Sequence, residues 1–387
     1  MLLHNHEFWE APTSFGWELG RSLARQSNRK TLLVQVGAAD APVGATVRDV
    51  DGKFSVCSLA AAKDAEAQRS EVARHLTGWK GQFEDLILNP VGPRAREIAA
   101  SVQEFANWRG HLLGPGVEAP SDAGENQFVV QGAEHPRLPF LSGSRQIIYD
   151  AQKSEGEHLA GRTVEKRFQR TVDSIARCIA GQQVGLALGG GAAWGWAHVG
   201  VLRVLEEGGV PIDVVSGCSM GSVIGAFYGA GYGVKQLEEV ADYWRMRTRR
   251  FVEWKFWRAC LLNERVVRRV FASYFQDRAV NQAEIPYWAN AVDIRTGKEY
   301  TIQNGSLVDC VRASIALPGL LPPNPRPPHL LVDAGIMDPV PVGLIRKMGC
   351  HFAIGVNAMA ALESQPVSDR YPSNAMEVMT RSMFLMG

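Results

Sequence analysis

Two strand-loop-helix units stand back to back in the middle of this chain, and they constrain its fold more than any other feature. In "VGLALGGGAAWGWAHVGVLRVLEEGG", Val184 to Leu188 is a short apolar strand and Gly189 to Gly191 a turn. Trp196 to Glu207 has helical spacing, which Gly208-Gly209 stops. "IDVVSG" (Ile212 to Gly217) then runs into "CSMGSVIGAFYGAG", a second strand followed by a second helix. Strands that each lead into a helix must cross over before pairing again, so a parallel sheet covered by helices is expected.

The earlier part of the chain alternates in a similar way. Phe15 to Ser27 reads as helix, "TLLVQVG" (Thr31 to Gly37) as a buried strand, Ala65 to Thr77 as helix, "FEDLILNPVG" as a strand and Ala95 to Arg109 as helix. Leu113 to Glu125 is rich in Pro, Gly and Asp and reads as a loop, and "QFVVQG" as one more strand. A charged run from Asp150 to Arg177 reads as a helix leading into the next unit. The boundary is therefore expected near residue 176, giving an N-terminal α/β domain over 1–176 and a second domain over 177–387. With 387 residues, 46% of them hydrophobic, two buried cores are within reach.

Charge and cysteine usage narrow the function. Forty-one Lys and Arg balance forty Asp and Glu, which argues against a dedicated nucleic-acid binder. Cys57, Cys178, Cys218, Cys260, Cys310 and Cys350 show no CxxC spacing, so neither a zinc site nor a disulfide framework is indicated. No cofactor and no metal are expected. The first residues lack a signal-peptide pattern, and no apolar run approaches the roughly 20 residues that span a bilayer. A cytoplasmic protein is expected, with any membrane contact peripheral at the inner surface.

The chemistry concentrates at the ends of the two central strands. Gly217-Cys218-Ser219-Met220-Gly221 matches G-x-S-x-G, in which glycines clear space around a tight strand-to-helix turn that presents the serine hydroxyl. Such a serine is either a nucleophile or a corner residue. The preceding glycine loop fails as a dinucleotide fingerprint, because Ala192 or Trp194 falls where a glycine is needed, and it has no Walker lysine. It suits an oxyanion hole made from the amides of Gly190, Gly191 and Ala192.

A serine nucleophile needs a base. Asp333, in "HLLVDAGIMDPVPV", ends an apolar strand, where residues of α/β sheets reach the crevice. His351, in "MGCHFAIGV", opens a later strand and would complete a Ser-Asp-His order; His198 reads as a packing or capping histidine. The residues alone leave dyad and triad open.

These motifs, with "ANAVDIRTGKEYTIQNGSLVDCVRASIALPGLLPP" between them, resemble the patatin-like phospholipases, and more narrowly the catalytic part of neuropathy target esterase and its bacterial relatives. The resemblance runs from about Arg167 to the end. It implies a three-layer α/β/α sandwich with a central, mainly parallel sheet, preceded here by a smaller α/β domain with a structural or docking role. It also implies a serine lipid acyl-hydrolase of lysophospholipase or phospholipase type, with a lipid or lysophospholipid substrate, in which Asp333 acts on Ser219 without a histidine.

The chain departs from the family pattern at three places. Ala192 stands for a glycine and Trp194 for an arginine of the loop, and Asp333-Ala334-Gly335 replaces Asp-Gly-Gly or Asp-Gly-Ala, where a positive φ at Ala334 would cost about 1 kcal/mol. Trp194 and Ala334 motivate a rival reading, a catalytically weak or inactive patatin-fold binding or regulatory protein.

One further segment stands out. Tyr243 to Phe275 interleaves nine Arg or Lys with Trp244, Trp254, Phe256 and Trp257. It suits either peripheral contact with an anionic membrane or a helix whose arginines lie over core contacts.

Overall fold

The computed structural model describes residues 2–5, 12–38, 45–91, 94–113, 127–131, 145–148, 166–247 and 262–359. The chain divides into two compact units, Met1–Gln182 and Gln183–Gly387.

The first unit runs β1 (Leu2–Asn5), α1 (Pro12–Ser27), β2 (Thr31–Val36), β3 (Val47–Asp49), β4 (Phe54–Leu59), α2 (Ala65–Lys80), β5 (Asp85–Pro90), α3 (Ala95–Val102), β6 (Arg109–Leu113), β7 (Gln127–Gln131), β8 (Arg145–Ile148) and α4 (Lys166–Ile179). Its sheet has the order β3-β4-β2-β5-β1-β6-β7-β8. All neighbours are parallel except the edge pair β3 and β4. Alternation along β2 sorts the core. Leu33 packs with Leu19 and Leu23 of α1 and Val172 and Ile175 of α4, while Leu32 and Val34 pack with Val72 of α2 and Ile98 of α3. The helix expected from Ala95 to Arg109 stops at Val102, and Arg109 already begins β6. Apart from Leu113, the expected loop lies outside the described residues.

The second unit runs β9 (Val184–Leu188), α5 (Ala197–Glu207), β10 (Val214–Gly217), α6 (Met220–Gly229), α7 (Val234–Arg247), α8 (Glu264–Phe275), β11 (Tyr287–Asp293), β12 (Lys298–Ile302), α9 (Leu307–Ser314), β13 (Asn324–Arg326), β14 (His329–Asp333), α10 (Val342–Lys347) and β15 (Phe352–Val356). Strands β15, β9, β10 and β11 are parallel neighbours in that order. Helices cover both faces. Leu186, Leu188 and Val215 share a core with Val223, Ile224 and Phe227 of α6, whereas Ala187 and Val214 pack on Ile345 of α10. This is the expected three-layer sandwich around a mainly parallel sheet. Helix α6 is buried from Gly221 through Gly229, as a helix at the centre of such a sandwich must be.

The polarity of the sheet breaks at β14. Ala291 of β11 pairs with Tyr300 of β12 and with Asp333 of β14, so β12 and β14 flank opposite edges of β11. Ala289 pairs with Ile302 of β12 and Gly217 of β10, so β10 lies opposite β12. Strands β10 and β14 therefore occupy successive stretches of one edge of β11, running towards each other. Their C-terminal ends, Gly217 and Asp333, are separated only by the register position of Asn290, about 7 Å along the strand.

The basic aromatic segment divides. Trp244 packs on Phe227 and Phe271, and α8 buries Val267, Phe271 and Phe275 behind an Asn263 cap. Trp254, Phe256 and Trp257 lie outside the described residues.

Candidate active site

Ser219 sits between the end of β10 and the start of α6 with φ 49° and ψ −121°, a left-handed backbone that a non-glycine residue adopts only under constraint. The crowding that forces the turn is visible at its glycines. A Cβ on Gly217 would lie 2.5 Å from the Gly221 carbonyl oxygen, and one on Gly221 would lie 2.1 Å from that of Leu188. Neither glycine has a positive φ, so both are required by close backbone approach.

The elbow is held from both sides. The Ser219 amide donates to Ser314 Oγ at 3.0 Å, and the Ser219 carbonyl accepts from Ser222 Oγ at 2.6 Å. Tyr287 donates its hydroxyl to the Ser222 carbonyl at 2.8 Å, and Ser216 Oγ donates to the Pro341 carbonyl at 2.9 Å.

Asp333 ends β14 and is 1% exposed. Its Oδ1 accepts the Gly335 amide at 2.8 Å and faces the Cys218 thiol at 3.9 Å, a weak contact. Its Oδ2 has no hydrogen-bond partner of good geometry, while the Ser219 hydroxyl is close enough to the carboxylate to lower its pKa. Burial outweighs that help and pushes the Asp333 carboxyl up to about 6. The same burial, with Asp333 beside it, raises the Cys218 thiol far above its ordinary value, so that neighbour stays a neutral S–H.

The glycine loop lies against the nucleophile. A Cβ on Gly190 would be 3.5 Å from Ser219 Cβ. Of the three amides expected to face an oxyanion, that of Gly190 donates to the Pro339 carbonyl at 2.8 Å and is thereby occupied. The donor set shrinks to Gly191 and Ala192, whose amides have no hydrogen-bond partner among the described residues. Ala192 itself takes φ 46°, so an alanine occupies a left-handed position that a glycine would take without strain. Two residues on, Trp194 is 62% exposed, and its ring covers no core. Ala334 carries no positive φ, so the strain feared at that substitution is not there.

The histidines are elsewhere. His351 precedes Phe352, which pairs with Val184 at the N-terminal edge of the parallel strands, whereas Ser219 follows Gly217, level with Leu188 at the opposite edge. Four residues of strand, about 13 Å, separate the two levels, so no triad forms through His351. His198 is buried with Nε2 2.7 Å from the Gly189 carbonyl, and burial lowers its pKa. A neutral imidazole there ties α5 to the glycine loop.

Comparison with known proteins fits this arrangement. The patatin-like phospholipase family model matches residues 186–345, a stretch containing the elbow, the glycine loop and Asp333. That stretch is similar to the patatin-like phospholipase family. Patatin-like phospholipase domain-containing protein 6 of Pongo abelii is 34% identical over 227 residues, 57% of this chain and 17% of that protein. Lysophospholipase NTE1 of Kluyveromyces lactis is 31% identical over 242 residues, 58% of this chain and 16% of that one. An uncharacterised NTE family protein of Mycobacterium tuberculosis is 34% identical over 203 residues, 51% of this chain and 55% of that protein. The chain thus matches between a sixth and about half of the length of these relatives. Among the described residues, no helix is long and apolar enough to cross a membrane.

Sequence reasoning singled out Ser219, Asp333 and the loop, and missed the groups that hold them. Ser314, Cys218 and the carbonyl of Pro339 carry no motif signal, since their roles arise from contacts across 95 or more positions of chain.

Proposed function

We propose that the patatin-like domain is a serine lipid acyl-hydrolase that cleaves carboxylic esters of phospholipids or lysophospholipids through Ser219 and Asp333. The observation that carries this reading is the end-to-end meeting of β10 and β14, which puts a buried carboxylate with an unpartnered Oδ2 beside the hydroxyl of a strained elbow. In this reading Ser219 Oγ attacks the ester carbonyl while Asp333 takes its proton. The amides of Gly191 and Ala192 receive the oxyanion, the alcohol leaves with the proton returned by Asp333, and water then frees the fatty acid from the acyl-enzyme. A base with a pKa of about 6 is ionised at neutral pH and still more basic than an exposed carboxylate.

The test is labelling with a fluorophosphonate probe together with hydrolysis of lysophospholipids and p-nitrophenyl esters. Covalent modification at Ser219 and release of fatty acid are expected. An unlabelled protein with no turnover would favour the second reading, a patatin-fold binding protein, for which Trp194 in place of the loop arginine is the remaining motive.

The reading extends to a lipid surface. Tyr243 and Met246 of α7, 40% and 75% exposed, open the arginine-rich segment that suits contact with an anionic membrane. Co-sedimentation with liposomes tests it: binding that ignores both anionic lipid content and salt would remove the membrane contact.

A further inference from the structure

The last residue of α9 and the turn that follows it touch both halves of the proposed dyad. Ser314, its final residue and 0% exposed, accepts the Ser219 amide hydrogen at 3.0 Å. Two residues later the Ala316 carbonyl accepts the Asp333 amide at 3.1 Å. The turn between them is itself fixed, because the Ile315 amide donates to Val311 at 3.0 Å and the Ala316 amide to Ala313 at 3.2 Å. At its other end α9 is capped by Ser306 Oγ, which accepts the Asp309 amide at 3.0 Å, and Arg268 of α8 pairs with Asp309.

We propose that Ser314 is a positioning residue for Ser219, and that the 314–316 turn is the strut that holds nucleophile and base at a fixed separation. The inference rests on the dyad reading above. Its physical basis is the strain at Ser219. A non-glycine residue at φ 49° relaxes unless its surroundings hold it, and the elbow's own glycines clear space without pulling on it. The Ser219 carbonyl side is held within α6 by Ser222. On the amide side the only hydrogen bond among the described residues is to Ser314, from a different element. Without that acceptor the amide loses its partner, and the hydroxyl is free to drift from the Asp333 carboxylate. Asp333 keeps its own anchor on Ala316 and does not follow. Small displacements of a reacting group cost rate far more than they cost binding, so the loss falls on the chemical step.

The experiment compares Ser314→Ala, Ser314→Cys and Val311→Ala with the parent protein. The Cys variant keeps nearly the size of serine but accepts a hydrogen bond poorly. The Val311 variant truncates a 0% exposed core residue on the same helix and tests for loss of packing alone. The readouts are kcat and KM for a p-nitrophenyl ester, the second-order rate of fluorophosphonate labelling, and thermal unfolding. Expected for Ser314→Ala and Ser314→Cys alike is a fall of about 10- to 100-fold in kcat and in labelling rate with KM within about twofold. Val311→Ala is expected to unfold at lower temperature yet label at close to the parent rate. Parent-like labelling of Ser314→Cys, or equal slowing in Val311→Ala, would overturn the positioning role while leaving the dyad standing. A parent protein that is neither labelled at Ser219 nor active would instead take down the dyad reading itself.

Discussion

The two units solve the same packing problem, and the candidate site belongs to the second of them. Both are sheets with helices on two faces, sorted by strand alternation into two cores. In the first unit every described strand is parallel to its neighbours except β3 at the edge, and the sheet continues unbroken across eight strands. In the second, β14 runs backwards into the end of β10 and shares its edge of β11. A parallel sheet gathers strand ends along one rim, but each end is followed by a loop leading away. An antiparallel strand driven into that rim delivers its terminal side chain, here Asp333, directly opposite a helix start. Polarity reversal, more than the α/β architecture, is what distinguishes the unit with the candidate site.

The sharpest way to break this comparison is to remove either member of the pair. Ser219→Ala and Asp333→Asn are each expected to reduce ester hydrolysis by about four orders of magnitude, measured on purified protein with a soluble ester. Residual turnover within tenfold of the parent in either variant would separate the polarity break from catalysis.

The next effect sets glycine against glycine. In the second unit Gly221→Ala places a methyl 2.1 Å and 2.5 Å from the carbonyl oxygens of Leu188 and Gly189, neither of which can yield without moving β9. A loss of about 2–3 kcal/mol in urea unfolding is expected, with labelling of Ser219 abolished.

Asp333 also ties pH to stability, and the sign follows from the direction of its shift. Burial lifts its folded pKa from 3.8 to about 6, so between these values the folded protein holds a proton that the unfolded chain has released. This group therefore favours the folded state below about pH 4, and the advantage is lost as pH rises through 6. Asp333→Asn removes the buried charge. It is expected to gain about 1–3 kcal/mol over the parent at pH 8 and nothing at pH 4, read from urea titrations at both values. With Asp333 as the base of the proposed dyad, hydrolysis by the parent is expected to fall tenfold per pH unit below about 6, as the carboxylate becomes protonated.

The smallest effect belongs to the first unit. Gly78 of α2 has no atom within 4 Å of an added Cβ and no positive φ. Gly78→Ala is expected to stabilise by about 0.5–1 kcal/mol through helix propensity, seen as slower hydrogen exchange along α2. Opposite signs for the two substitutions would confirm that Gly221, unlike Gly78, is required by close backbone approach.

Much of the site was legible because its signals are local. G-x-S-x-G announces a crowded strand-to-helix turn within five residues, and an aspartate closing an apolar strand announces a group at the rim of a sheet. What could not be read were hydrogen-bond partners drawn from distant chain. The Gly190 amide reads as an oxyanion donor in the sequence, but the Pro339 carbonyl occupies it. His351 fitted a familiar residue order, but strand register places it at the wrong rim. A positive φ at Ala334 would have strained it, and the backbone there has none.

From sequence alone, then, came the elements, their alternation into a layered α/β fold and the residue types able to attack and accept a proton, because periodicity and turn chemistry act over a few neighbouring residues. Tertiary structure alone decided that β14 reverses, that β10 and β14 share one edge of β11, and that Ser314 and Ala316 hydrogen-bond to the Ser219 and Asp333 amides. Those outcomes depend on which strand edge is free to pair, a property of the assembled sheet that no local stretch of chain encodes.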